Sequence, residues 1–314
     1  MAVSLHYFAL SAPLFGMVLL GYVVARNHRW KRTWSAWCSR VVFAVLLPAL
    51  LFTLLSKVAT LPPTDPRLLV AYFGSCLCVF ALGRVLARGV FALDGVGQAI
   101  FAMGGIFSNN VLLGIPIVQS AFGAAALPTV ALVTVFNSLT LWTLVSVSVE
   151  WSRHGSFSAK GLAQTALGVL TNPIIAAIMC GTLFGYSGLQ LPAWLALGLS
   201  WLARSAGPSA LLVLGMGLAQ YGIRKDFAQS LVISALKLIV QPLIVWSIGA
   251  ALGLPALELK AVVLLSAMSV GANVYLMALQ FESTQAAVAG SLVISTLLAA
   301  FSIPVLLALL AAWV

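Results

Sequence analysis

The chain has 314 residues, 62% of them hydrophobic and 7% charged, with a net charge of +10 and a mean hydropathy of +1.11. Soluble domains carry about a quarter charged residues, so a soluble globular fold is excluded, and no pattern of short alternating strands points to a membrane barrel. The reading is an all-α polytopic membrane protein with about ten apolar stretches near the length that crosses a bilayer.

In chain order the first span covers about Phe8 to Ala25. No cleavable leader is expected, because Arg26, Arg29, Lys31 and Arg32 follow the first apolar run instead of preceding it. The second span, about Trp34 to Ser56, carries Pro48, and Pro62-Pro63 with Asp65-Pro66 mark a turn before the third, about Leu68 to Leu86. The fourth covers about Gln98 to Phe122 and the fifth about Pro128 to Val149, with Asn137, Ser138 and Thr140 inside it. The polar run from Glu150 to Lys160 is the natural boundary between halves, giving a first repeat over 1–149, a linker over 150–164 and a second repeat over 165–314. Five further spans begin near Thr171, Trp194, Gln229, Lys260 and Gln285. Most basic residues then fall in loops on one side, which is cytoplasmic, and both termini are expected outside. Five spans per half is an odd number, so the halves must be inverted.

The fourth span is the unusual one. From Gly104 to Gln119 it reads Gly-Gly-Ile-Phe-Ser-Asn-Asn-Val-Leu-Leu-Gly-Ile-Pro-Ile-Val-Gln. Buried amides need hydrogen-bond partners, and proline removes a backbone donor. A helix broken at Gly114 and Pro116, with its freed backbone lining a polar cavity, explains the composition. The ninth span repeats the device in Ser266-Ala-Met-Ser-Val-Gly-Ala-Asn-Val-Tyr275, with Asn273 as the counterpart of Asn110. Two interrupted segments at matching places in two halves point to a transporter binding site.

Ser108-Asn109-Asn110-Val-Leu-Leu-Gly114-Ile-Pro116 resembles the broken fourth helix of the auxin efflux carrier family. Asn172-Pro173, Gly207-Pro208 through Gly215, Lys237 with Pro242, and Gly271-Ala-Asn273-Val are similar to that family in the same order. The resemblance implies an inverted five-plus-five repeat with helices 4 and 9 crossing at mid-membrane, and a homodimer. It also implies organic-anion transport of the bacterial malonate-transporter-like kind, with Asn110 and Asn273 as carboxylate contacts.

The candidate substrate-binding set is therefore Asn109, Asn110 and Asn273, with Ser108, Gly271 and Tyr275 beside them. Asn109 has the alternative of capping a half-helix. Lys237 and Arg204 are the charges best placed to lie within the hydrocarbon, either attracting an anion or holding helix-terminal carbonyls. No acid lies at comparable depth: Asp65, Asp94, Glu150, Asp226, Glu258 and Glu282 are all near segment ends. Coupling through a buried carboxylate thus lacks its residue, and sodium or proton coupling by other groups stays open. The four cysteines read as small buried hydrophobes, and no cofactor or metal is expected. His6, His28 and His154 form no catalytic constellation, so an enzyme is not expected. The expected partners are a small organic anion and the lipid bilayer of a bacterial inner membrane. The scattered basic residues do not suggest nucleic acid. A coupled symporter of another organic acid and a channel-like anion pore are the alternatives.

Overall fold

A computed structural model of the chain describes residues 2–27, 32–57, 59, 65–154, 173–219 and 226–312. Pro62-Pro63, most of the linker and Arg224-Lys225 lie outside the described residues. Among the described residues every regular element is helical. The α-helices are α1 (Ala2–Arg26), α2 (Arg32–Val41), α3 (Leu47–Leu55), α4 (Arg67–Gly89), α5 (Gly95–Gly104), α6 (Ile115–Phe122) and α7 (Leu127–His154) in the first half. The second half holds α8 (Pro173–Tyr186), α9 (Ala193–Leu218), α10 (Phe227–Ala235), α11 (Gln241–Ala251), α12 (Ala256–Ser266), α13 (Ala272–Gln280) and α14 (Gln285–Ala312).

Among the described residues five helical stretches are long and apolar enough to cross a membrane: Thr33–Leu55, Arg67–Gly89, Ala193–Leu218, Phe227–Ala251 and Gln285–Ala312. The shortest of these, at 23 residues, extends about 35 Å at 1.5 Å per residue, enough for a hydrocarbon layer of about 30 Å. Shorter apolar helices accompany them, including Ala12–Arg26, Gly95–Gly104 and Asn110–Phe122. Large apolar side chains such as Trp194, Leu197 and Trp201 on α9, Leu183 on α8 and Phe301 on α14 are exposed. That is how helices facing lipid instead of water are built.

Three of the helical stretches are spliced by a five-residue π turn: Val42–Leu46 between α2 and α3, Asn110–Gly114 before α6, and Leu236–Val240 between α10 and α11. Each is followed by a proline in the first two positions of the next α-helix: Pro48, Pro116 and Pro242. A proline in an uninterrupted helix lacks its N–H and pushes its ring against the carbonyl one turn earlier. Widening the preceding turn relieves that clash without ending the helix. Pro116 and Gly114 are therefore not where the fourth span breaks. The chain leaves helical geometry upstream, after α5, and Gly114 closes the π turn against Leu265 of α12.

The helices form two closely packed sets, which meet where α1 lies against α14. In the first, α1 lies along α9, while α3 contacts both α8 and α9. In the second, α4 packs on α5 and α11, α5 on α7, α10 on α14, and α11 on α12. The first group is held by very close backbone approach. A Cβ built on Gly215 would meet the Val18 carbonyl oxygen at 1.9 Å, and one on Gly21 would meet that of Leu212 at 2.1 Å. In lipid there is no hydrophobic drive between helices, so small residues that let backbones touch supply the association. Gly181 of α8 plays the same part against Phe52 of α3, with contacts of 3.0 Å. At the rim, Arg67 donates to the Asp65 carboxylate at 2.8 Å and to the Leu252 carbonyl at 2.9 Å, tying two turns together. The Arg67 bonds hold the Asp65 carboxyl below its ordinary range.

Gly215→Ala is expected to lower the thermal midpoint of the detergent-solubilised protein by several degrees, an overpacking cost of about 1–3 kcal/mol. Gly16→Ala, where a Cβ meets nothing within 4 Å, is expected to leave it unchanged. Equal midpoints for the two variants, read by scanning fluorimetry, would contradict the close α1–α9 contact.

Candidate functional site

Two interrupted helices meet at the centre of the second group. After α5 the segment 105–109 is not helical, and after α12 the segment 267–271 is not helical either. Ser108 and Val270 form an isolated antiparallel bridge. The Asn109 N–H donates to the Ser269 carbonyl at 2.9 Å, and the Gly271 N–H donates to the Phe107 carbonyl at 2.8 Å. Asn109, at φ −77° and ψ 59°, is the centre of an inverse γ-turn closed by the Asn110 N–H on the Ser108 carbonyl at 2.9 Å. The Val270 N–H donates to Ser295 Oγ of α14 at 3.0 Å. Each bond satisfies a backbone group that would cost several kcal/mol if left bare in hydrocarbon. Gly271 is required by proximity, since a Cβ there would lie 2.9 Å from the Phe107 ring and 3.1 Å from the Ser108 carbonyl oxygen.

The carbonyls released by the two breaks are held by one pair of side chains. Lys237, fully buried in the π turn before α11, donates its ammonium to the Ser266 carbonyl at the end of α12 and to Gln241 Oε1 at 2.6 Å. Gln241 in turn donates through Nε2 to the Ile106 carbonyl at 3.2 Å and to Cys76 Sγ at 3.3 Å. Lys237 thus serves the carbonyl-holding alternative and does not line the cavity described below. Arg204 is exposed on α9 and does not line it either. Tyr275, half-buried one turn into α13, is also outside the lining. Of the cysteines, Cys76 is buried but Cys78 and Cys180 are exposed. Residues two apart on a helix do not share a face, so Cys76 and Cys78 point apart.

A cavity of about 270 Å³ opens beside the crossing. Ser108, Asn109, Asn110, Gly271 and Asn273 line it together, joined by Thr134 and Asn137 of α7. Phe43 and Ile174, from the first helical group, also line it. Asn110 Nδ2 donates to the Tyr72 hydroxyl at 3.2 Å, and that hydroxyl donates to Ser108 Oγ at 3.0 Å. Asn109 Nδ2, Asn110 Oδ1, Asn137 Oδ1 and Ser269 Oγ are buried without a hydrogen-bond partner. Unpartnered buried polar atoms are uncommon, and four of the six among the described residues belong to the crossing segments or the cavity wall. Among the described residues no lining side chain is ionisable. The wider depression of about 550 Å³ at the far ends of α5 and α13 is rimmed by Asp94 and Glu282, which suit an anion poorly. No group of three His, Cys, Asp or Glu stands close enough to hold a metal among the described residues.

Sequence reasoning passed over Tyr72, Gln241 and Asn137 as functional groups. The signals were present in part: Lys237 and Gln241 are four apart, and Thr134 and Asn137 three apart, each pair on one helical face. Nothing in the local sequence of α4 marks Tyr72, because a tyrosine in a membrane helix reads first as an interfacial aromatic.

The architecture and this cavity define a multi-pass helical membrane protein with a buried polar site. Comparison with known proteins makes the class specific. A family model described as "Membrane transport protein" matches residues 6–307, so the chain belongs to that family, the auxin efflux carriers. It is 26% identical over 307 residues to a protein of Rhizobium meliloti (strain 1021) named "Putative malonate transporter", covering 95% of this chain and 94% of that one. It is 24% identical over 295 residues to an "Uncharacterized transporter" of Methanothermobacter thermautotrophicus, with coverages of 92% and 93%.

Lys237→Met is expected to leave the Ser266 carbonyl and Gln241 Oε1 without a donor, costing about 1–3 kcal/mol for each. Hydrogen exchange should accelerate in 105–109 and 267–271, and the thermal midpoint should fall even with no organic anion present. A variant that keeps both its midpoint and its exchange protection would remove the carbonyl-holding role.

Proposed function

We propose that the chain is a secondary carrier of small organic anions, malonate-like mono- and dicarboxylates, working by alternating access in a bacterial inner membrane. The observation that carries this reading is the cavity, where asparagine amides stand at the starts of two half-helices, Asn110 buried with its Oδ1 unpartnered and Asn273 half-buried. Asn273 lies in the first turn of α13, and Asn110 opens the π turn that leads into α6. Helix starts present free N–H groups and partial positive charge, so a carboxylate there meets donors from backbone and side chain together. Asn109, Asn110 and Asn273 are the contacts of this reading, with Ser108 and Gly271 shaping the wall.

The inverted five-plus-five repeat belongs to the same proposal. Reciprocal packing supports it: the first span lies on the seventh (α1 on α9) and the sixth lies on the second (α8 on α3). The glycines of those contacts, Gly21 and Gly181, hold equivalent places in the two halves. Alternating access then takes the form of one helical group moving against the other, because the cavity has walls from both. Both termini lie outside in this topology. Moving one anionic charge inward against an inside-negative potential of about 100 mV costs about 2.3 kcal/mol, so outward movement is the downhill direction.

Asn110→Ala and Asn273→Ala are each expected to reduce malonate flux in proteoliposomes by at least about a hundredfold, while the protein still extracts and elutes as the wild type does. Full flux in both variants would refute the site.

A further inference from the structure

The cavity has an electrical property that the carrier reading alone does not use. Among the described residues its walls hold amides and hydroxyls beside apolar side chains, and no ionisable side chain. Behind it, Lys237 is the charged side chain among the buried polar groups described, and no carboxylate accompanies it there. A protonated Lys237 balances one anionic charge. A second negative charge on a guest would be left without compensation in a medium where unpaired charge is strongly disfavoured.

The unpartnered atoms add a chemical requirement. Asn110 Oδ1 and Asn137 Oδ1 are acceptors without a donor, while Asn109 Nδ2 is a donor without an acceptor. A fully ionised carboxylate satisfies the donor and leaves both oxygens bare. A guest with a protonated carboxyl or a hydroxyl beside its carboxylate satisfies both kinds of atom. Asn137 is 4% exposed and comes from α7, outside the two interrupted segments, so its amide meets a guest from a different helix than Asn109 and Asn110 do.

We propose that the cavity selects organic acids that carry a single negative charge together with a hydrogen-bond donor of their own, and that Asn137 reads that donor. Short hydroxy acids and the half-protonated form of short dicarboxylates share this chemistry. The inference rests on the anion-carrier reading above and names the charge state it transports. The titratable groups nearest the cavity are Tyr72, whose hydroxyl is shared between Ser108 and Asn110, and, one layer behind, Cys76 and Lys237, both joined to Gln241. A control substrate that does not titrate separates their influence from that of the guest.

The test is exchange flux of malonate, lactate and monomethyl malonate in proteoliposomes of the full chain, with equal pH on both sides, between about pH 5 and about pH 8. The KM for malonate is expected to rise about tenfold per pH unit above its second pKa, since only the half-protonated form binds. Lactate, a monoanion with a hydroxyl throughout, should keep a constant KM. Monomethyl malonate, a monoanion without a donor, should bind at least about tenfold more weakly than lactate. Asn137→Ala should raise the lactate KM about tenfold and leave that of monomethyl malonate unchanged, with Asn137→Ser restoring part of the loss. A malonate KM that is flat or falls with pH, or a half-ester that binds as well as lactate, overturns the inference and leaves the carrier reading standing. Failure to carry any of the three at any pH overturns both.

Discussion

The constraint from which the structure follows is that no backbone polar group goes unpaired in hydrocarbon. Helices meet it by themselves, and two of them here do not run through. The cost of each interruption is met by the other: Asn109 donates to Ser269, Gly271 to Phe107, and the leftover carbonyls of Ile106 and Ser266 are taken by Gln241 and Lys237. Neither break is stable alone in lipid, because its partners are on the opposite segment. That mutual dependence fixes where the two segments cross. It also leaves a short stretch of irregular backbone with a cavity along one side.

The π turns are a second answer to the same constraint. Proline recurs in the membrane helices, and three times the chain widens the turn before it. In the Leu236–Val240 turn the widening accompanies a functional placement, since it carries Lys237 and leads directly to Gln241. The residue that destabilises the helix and the residues that cap the crossing thus belong to one local distortion.

The cavity takes its character from what surrounds it. Close glycine contacts clamp α1 to α9 and α8 to α3, making a compact group whose Phe43 and Ile174 line the cavity. The interrupted segments and α7 line it too. A guest held between them touches both groups, which is the geometry through which relative motion of two bodies and occupancy of a site become linked.

The all-helical membrane class was legible in the residues, because apolar runs of membrane length are local properties. So was the presence of interruptions near Asn109-Asn110 and near Asn273, since Gly, Ser and Asn in an apolar run signal broken helix without reference to anything else. The position of the first break was not legible. Gly114 and Pro116 carry the strongest local signal, yet a π turn absorbs them, and the chain unwinds at 105–109, where partners on 267–271 are available. Nor did sequence decide between an anion-attracting and a carbonyl-holding Lys237, for that depends on where Ser266 comes to lie after two helices fold back. Tyr72 and Asn137 acquire their places beside Ser108 and Asn110 only when α4 and α7 pack against the crossing. Patterning along one helix determines what must be buried and where it weakens. Which group answers which unpaired atom is settled by contacts between residues far apart in the chain.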